Sequence, residues 1–324
     1  MTFKLEETTI SNIHMAIRDG EVSAVDLVDG YLARIATYDK AGPNLNSIIT
    51  VNASAREDAA RLDAAYARTG EFSGPLHGVP IVVKDQAETE GLMTTFGCVA
   101  MDGYVPEKDA TAIAKLRDAG AIILAKTAMP DFATSWFGYS SMAGETKNPY
   151  DLAHDPGGSS GGTGAAVAAN LGTIGVGEDT GGSIRLPSSF DNLVGLKVTP
   201  GLISRAGMSP LVVFQDSAGP MCRTVEDLAR LLNVLVGFDP ADPFTATAVI
   251  AGPVDYQARL NIEQLKGQTI GVLRQSFGDP SDPVAAEVNA LMEQALAVMR
   301  GAGANTVDVE IPDLDYYVEY TSLY

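Results

Sequence analysis

Hydrophobic positions along the chain switch between helical spacing and short continuous runs, which predicts helices alternating with buried strands. The first seventy residues read as helical. Ser23-Ala24-Val25-Asp26 has the spacing of a capping box, and Leu27, Val28, Tyr31, Leu32 and Ile35 follow at helical intervals. Residues 53–69 are Ala-rich and charged, a helix that Gly70 stops. Val79-Pro80-Ile81-Val82-Val83 is short, apolar and β-branched, as suits a buried strand. Residues 110–118 predict a helix and 121–125 the strand after it; 161–171 predict a helix of small residues and 173–176 another strand. Thr224 and Asp227 repeat the box spacing at the head of a helix over 224–236. Residues 269–273, 283–300 and 306–311 read as strand, helix and strand. The alternation predicts an α/β fold on a mixed sheet covered by helices.

Composition narrows the function. With 324 residues, 46% of them hydrophobic, the chain can bury one large core or two ordinary ones. A formal net charge of −19 disfavours unaided binding to nucleic acid or to anionic lipid. The opening Met1-Thr2-Phe3-Lys4-Leu5-Glu6-Glu7 lacks the basic-then-apolar layout of a secretory signal. No apolar run approaches the roughly 18 residues of a membrane helix. Cys98 and Cys222 form no paired motif, which fits a reducing cytoplasm and argues against a cysteine-based metal site. Only three histidines occur, His14, His77 and His154, so the usual metal ligand and general base is scarce. Tyr320-Thr321-Ser322-Leu323-Tyr324 forms neither a helix stop nor a charged tail, and natural sequence is expected to continue beyond it.

Candidate chemistry concentrates in residues 155–187, which hold Gly157-Gly158-Ser159-Ser160-Gly161-Gly162 and Asp179-Thr180-Gly181-Gly182-Ser183-Ile184-Arg185. A flexible linker would have this composition, but the apolar flanks Ala165-Ala166-Val167-Ala168 and Ile174-Gly175-Val176 argue against one. A phosphate loop needs a Gly-Lys pair that is missing, and the dinucleotide fingerprint fails at Thr180. Gly157-Gly158-Ser159-Ser160-Gly161 satisfies the Gly-x-Ser-x-Gly nucleophile elbow. Yet Asp151-Leu152-Ala153-His154-Asp155-Pro156 before it is a poor strand, and all three histidines lie upstream. Two nucleophile-grade serines without a histidine need another base, and lysine is the known substitute. Lys84 follows Ile81-Val82-Val83, so a buried strand would carry its stem inward and desolvation would free its amine. A strand-end lysine more commonly snorkels to water, and position alone leaves both open.

Several segments in order resemble the amidase signature family. They are Leu76-His77-Gly78-Val79-Pro80-Ile81-Val82-Val83-Lys84-Asp85, Gly120-Ala121-Ile122-Ile123-Leu124-Ala125-Lys126-Thr127, Asn148-Pro149-Tyr150-Asp151, the Gly-Ser centre, and Gly219-Pro220-Met221-Cys222-Arg223-Thr224. The resemblance implies the amidase signature fold, with a large mixed β-sheet core covered by helices on both faces. A helical region over 1–70 would pack on a core over 71–324. It implies an amidohydrolase that needs no cofactor and no metal. Ser183 resembles the nucleophile, Ser159 the serine in a cis peptide that bridges to the base, and Lys84 that base. N–H groups of Thr180, Gly181, Gly182 and Ser183 would form the oxyanion hole, since glycines tolerate the required dihedrals. Ser160, Asp179 and Arg185 resemble hydrogen-bonding partners that hold the loops, a role any ordinary loop residue also fills.

Family members differ here at Phe190-Asp191-Asn192-Leu193-Val194-Gly195, where a small residue and Gly are common, and at Lys197-Val198-Thr199-Pro200-Gly201, where the proline is shifted. They also tend to run well past this length. Phe132, Trp136, Phe137 and Tyr139 precede the Gly-Ser centre, and in the family the backbone near Ala133 touches substrate. These rings either plug the core, the commoner fate of aromatics, or line a site for an apolar or aromatic group. The expected partner is a small-molecule amide, with no direct nucleic acid and no membrane; a homodimer stays open. A second function is the amidase subunit of a tRNA-dependent glutamyl/aspartyl amidotransferase. A third, a non-catalytic binding protein, has no need of Lys84, Ser159 and Ser183 together.

Overall fold

A computed structural model describes residues 3–321. Met1 and Thr2, and residues 322–324, on which the readings of the two ends partly rest, lie outside the described residues. Residues Met1–Tyr256 form one compact unit and Gln257–Tyr324 a second.

The first unit opens with α1 (Ile10–Arg18) and α2 (Ala24–Arg34). Ser23 caps α2 through the expected box: its hydroxyl accepts from Asp26 N–H, and the Asp26 carboxylate accepts from Ser23 N–H. Then β1 (Ile48–Val51) interrupts the run that reads as helical throughout. Its four residues are apolar or β-branched, and pairing with a buried neighbour makes them a strand. Next come α3 (Ala55–Thr69), stopped by Gly70 in the left-handed region, and β2 (Pro80–Lys84). After α4 (Thr111–Asp118) and β3 (Ile122–Thr127), a short hairpin forms from β4 (Tyr139–Ser140) and β5 (Gly144–Glu145). The small-residue helix α5 (Gly161–Ala168) leads into β6 (Ile174–Glu178). Then follow α6 (Arg185–Phe190), β7 (Val194–Gly195), β8 (Ala218–Cys222), α7 (Val225–Leu235) and α8 (Ala246–Ala251).

The box expected at α7 is only half made. Thr224 accepts from Asp227 N–H, but the Asp227 carboxylate accepts instead from Ile10 N–H at 3.1 Å. That amide is an orphan donor in the first turn of α1, so a buried carboxylate ties two distant helix starts together.

Six strands form one sheet among the described residues, in the order β1-β3-β2-β6-β8-β7. β3, β2 and β6 run parallel, while β1, β8 and β7 are antiparallel to their neighbours. Alternate residues feed two cores. Ile81, Val83, Ile123, Ile174 and Val176 pack against α1, α4 and α7 on one face. Val82, Ile122 and Leu124 pack against α2, α3 and α5 on the other. This is the mixed sheet with helices on both faces. Burial on both sides explains why these strands read as continuous apolar runs.

The parallel trio places Lys84, Thr127 and Glu178 at the same, carboxyl-terminal edge of the sheet, where open α/β sheets commonly hold their ligands. Helix α5 is drawn down onto this edge. A Cβ at Gly162 would lie 2.4 Å from Ala128 N and 2.5 Å from both Ala128 O and Ser47 O.

In the second unit, β9 (Thr269–Leu273) and β10 (Asn305–Val309) pair in parallel, joined through α9 (Pro283–Gly301). This is the expected strand–helix–strand, and α10 (Leu314–Thr321) follows.

All three atoms that crowd position 162 are backbone, so the neighbours cannot move aside cheaply. Gly162→Ala is expected to lower unfolding free energy by about 2–3 kcal/mol in urea denaturation.

Candidate active site

The carboxyl edge of the parallel strands brings Lys84, Ser159 and Ser183 into one buried cluster. Lys84 is 1% exposed, and both serines are fully buried. Lys84 Nζ donates to Ser159 Oγ at 2.8 Å and to the Glu178 carbonyl at 3.1 Å. The lysine therefore does not snorkel to water. Burial pushes its pKa down, against the raising influence of the Glu178 carboxylate.

Ser159 follows a cis Gly158–Ser159 peptide bond. Glycine at 158 is forced by close approach, since a Cβ there would lie 2.7 Å from Trp136 C and 2.8 Å from Phe137 N. Asp151–Pro156 forms no strand before this turn, so the nucleophile elbow lacks its structural context. Ser160 sits one residue on. Its N–H donates to the Ser183 carbonyl at 3.1 Å, and its hydroxyl bridges the end of β6 by donating to Glu178 O at 3.2 Å.

Ser183 lies in the turn after β6, and Asp179 shapes that turn. The Asp179 carboxylate accepts from the N–H groups of Gly182, Ile184 and Arg185, and from Nε and Nη2 of Arg185. These donors hold its pKa below the usual carboxylate range despite burial. Gly182 has φ of 139°, which a side chain would resist. Its N–H is committed to Asp179 at 2.8 Å and so is not turned toward a ligand. Among the described residues, the N–H groups of Thr180, Gly181 and Ser183 make no hydrogen bond. The Ser183 hydroxyl has no partner either. The direct Ser183–Ser159 bond that the resemblance implies is not formed: Ser183 Oγ has no partner, Ser159 Oγ accepts from Lys84, and a backbone bond from Ser160 links the two turns.

A buried lysine, two buried serines and a turn of unengaged N–H groups are an arrangement that could support acyl transfer. Comparison with known proteins agrees on the family: the family model described as Amidase matches residues 26–324.

The chain belongs to the amidase family.

A glutamyl-tRNA(Gln) amidotransferase subunit from Halorhodospira halophila is 41% identical over 319 residues, 97% of this chain and 64% of that protein. The solved peptide amidase from Stenotrophomonas maltophilia is 40% identical with a TM-score of 0.89, over 97% of this chain and 64% of that one. The solved glutamyl-tRNA(Gln) amidotransferase subunit from Thermotoga maritima is 29% identical with a TM-score of 0.80, over 98% of this chain and 64% of that one. The chain thus spans just under two thirds of the length of these relatives.

Within this amidase fold, the aromatic stretch is not core. Phe132, Trp136, Phe137 and Tyr139 are 40–66% exposed, which overturns the core-plug reading. The turn at 131–133 explains it. Phe132 and the buried Ala133 both have positive φ, and the backbone of residues 136–137 then passes close to Gly158. Trp136 lines a recess of about 410 Å³ with Gly181, Gly182, Arg185 and Leu186, beside the Ser183 turn. Ala133 itself is fully buried.

Among the buried acids to which the sequence reading gave no role, two stand out. Glu178 ends β6 and lies 3.6 Å from Lys84 Nζ. The signal was present, because a charge ending an apolar run is the feature that singled out Lys84. Asp191, in the segment that departs from other family members, is fully buried, and neither carboxyl oxygen has a hydrogen-bond partner among the described residues. It packs against α5, where a Cβ on Gly164 would come within 2.3 Å of Asp191 Oδ2. Burial, with the Asp155 charge adding to it, raises its pKa to about 8.

Asp191 is therefore held protonated in the fold and ionises freely in the unfolded chain, where its pKa is near 3.8. Its folded form loses stability as pH rises from about 4 toward 8. Asp191→Asn is expected to stabilise the protein at pH 8 by on the order of 2–5 kcal/mol and to change little at pH 4, read from chemical denaturation at the two pH values.

Proposed function

We propose that the chain hydrolyses carboxylic amides to an acid and ammonia or an amine, through an acyl-enzyme on Ser183. One observation carries the reading: the buried amine of Lys84 lies 2.8 Å from Ser159 Oγ, beside a Ser183 hydroxyl that nothing else engages. Lys84 is the base, since burial favours its neutral form. As Ser183 Oγ attacks the amide carbon, its proton passes to Ser159, and the Ser159 proton passes to Lys84. The Ser183–Ser159 bond closes with substrate in place, as catalytic hydrogen bonds commonly do. N–H groups of Thr180, Gly181 and Ser183 face the developing oxyanion. The same relay returns a proton to the leaving nitrogen, which departs poorly without one. Water then hydrolyses the ester and restores Ser183.

The recess under Trp136, with exposed Phe137 and Tyr139 nearby in sequence, supports an apolar or aromatic substrate group approaching along the backbone near Ala133. No described helix is long and apolar enough to cross a membrane. The two unpaired cysteines support a cytoplasmic setting.

A second reading is favoured by the relatives at about 40% identity, which carry the name of an amidotransferase subunit. The same relay would then release ammonia for an aminoacyl-tRNA on a partner, since a net charge of −19 disfavours direct contact with the nucleic acid. Co-purification with partner subunits would favour this reading. Turnover of simple amides by the isolated chain would favour the free hydrolase.

A fluorophosphonate probe with peptide mapping tests the nucleophile without knowledge of the substrate. The expected adduct is on Ser183 and is lost in Ser183→Ala. An adduct on Ser159 that persists in that variant would restore the elbow reading, and no adduct on either serine would overturn the serine mechanism. In an amide panel, aryl amides are expected to turn over faster than small aliphatic ones; the reverse order would sink the aromatic assignment.

A further inference from the structure

Glu178 is buried at the end of β6, 1% exposed, with one carboxylate oxygen held and the other left over. Oε1 accepts from Ser217 N–H at 3.3 Å; Thr180 Oγ1 lies at the same distance but gives its one proton to Asp216 at 2.6 Å. Oε2 makes no hydrogen bond among the described residues and lies 3.6 Å from Lys84 Nζ. The Glu178 carbonyl already accepts from that amine at 3.1 Å.

A neutral lysine amine has two N–H donors and one lone pair. To take a proton from Ser159, the lone pair must point at Ser159 Oγ. The two N–H groups then have two acceptors within reach, the carbonyl and the carboxylate of Glu178. When the proton arrives, an ammonium stands in a site closed to water. Glu178 is the one carboxylate within 4 Å of it among the described residues. Other charges face the pair: Asp179 and Asp216 from the flanking loops, and Lys197 and Arg205 beyond Glu178. Asp179 is occupied by five donors, and Asp216 accepts from Thr180 Oγ1, Leu211 N–H and Val212 N–H. Neither can turn to the amine without breaking its own loop.

We propose that Glu178 is the positioning residue of Lys84, its carboxylate aiming the amine at Ser159 and stabilising the ammonium that forms when Ser183 is deprotonated. The inference rests on the Ser183–Ser159–Lys84 reading above. Burial pushes the Glu178 pKa up and the charge of Lys84 opposes that rise. The proton leaves Ser183 Oγ, a proton reaches Lys84 Nζ through Ser159, and one returns to the leaving nitrogen; this role requires Glu178 to stay a carboxylate throughout. Aspartate plays the equivalent part toward the imidazolium of a Ser-His-Asp triad.

The test uses the 324-residue chain and the rate of fluorophosphonate labelling of Ser183 as a function of pH. Glu178→Gln keeps the shape and removes the charge. Labelling above the midpoint is expected to slow by about 10- to 100-fold, the value of a charge-assisted hydrogen bond. The ascending limb should move to lower pH, because a carboxylate beside an amine raises its pKa and its loss lowers it. Glu178→Asp should move the limb back toward the wild type. A slower rate with an unmoved limb in Glu178→Gln would mean a structural role only and would overturn the proposal. A second readout needs no variant of Glu178. In protein labelled at lysine Cε and glutamate Cδ, the Lys84 signal, assigned with Lys84→Met, should titrate beside a Glu178 signal that stays ionised over the labelling range. A Glu178 protonated across that range would also overturn it. Ser183 labelling that survives Lys84→Met unchanged would instead remove the base reading beneath, a separate failure.

Discussion

An amine that water cannot reach sets the terms for this structure. Lys84 ends a strand whose every residue is buried, and an unpartnered ammonium there would be too costly to keep. The surroundings answer that demand. Ser159 and the Glu178 carbonyl take its hydrogen bonds, and the Glu178 carboxylate lies against it. Each partner needs its own support: Ser159 a backbone packed on residues 136–137, Glu178 the ends of β6 and β8, and the turn after β6 the carboxylate of Asp179. The next strand over solves the same problem by simpler means. Lys126 is fully buried on β3, where Asp85 lies 3.4 Å away and Thr94 accepts at 2.9 Å. Its pKa falls to about 8, again through burial. That amine has no serine beside it and serves to pin the segment after β2.

Glycines let these parts meet. At 158 and 162 the obstacle to a side chain is backbone rather than a movable group. Two loops and the head of α5 can approach the sheet edge closely only because those positions carry no Cβ. The Gly-Ser composition that suggests a linker is thus a record of tight packing. The same closeness leaves room against α5 for the buried Asp191, a carboxyl that the site's own hydrogen bonds do not reach.

Strands buried on both faces were the most legible part of the fold. The strands at 80–84, 122–127 and 174–178 show in the sequence as apolar runs over 79–83, 121–125 and 173–176 because both faces of the sheet are covered by helices. β1 was hidden for a different reason: Ile48-Ile49-Thr50-Val51 is four residues long between helices, and only its pairing with β3 makes it a strand. The box spacing of Thr224 and Asp227 was read correctly as a helix start. Its acid was spent elsewhere, on Ile10, a contact across 217 positions that no local pattern reports.

Local rules act over a few residues, so the sequence alone could determine the principal buried strands and longer helices, the fold class, the family, and Lys84, Ser159 and Ser183 as the residues of interest. Tertiary structure decided what depends on groups distant in the chain. It showed which way Lys84 points, that Gly182 N–H belongs to Asp179, that the rings at 132–139 face outward, and that Glu178 stands beside the amine. Hydrogen bonds and ion pairs act over about 3–4 Å of space. Lys84 and Glu178 are 94 positions apart, and only the parallel pairing of β2 with β6 brings them within that range.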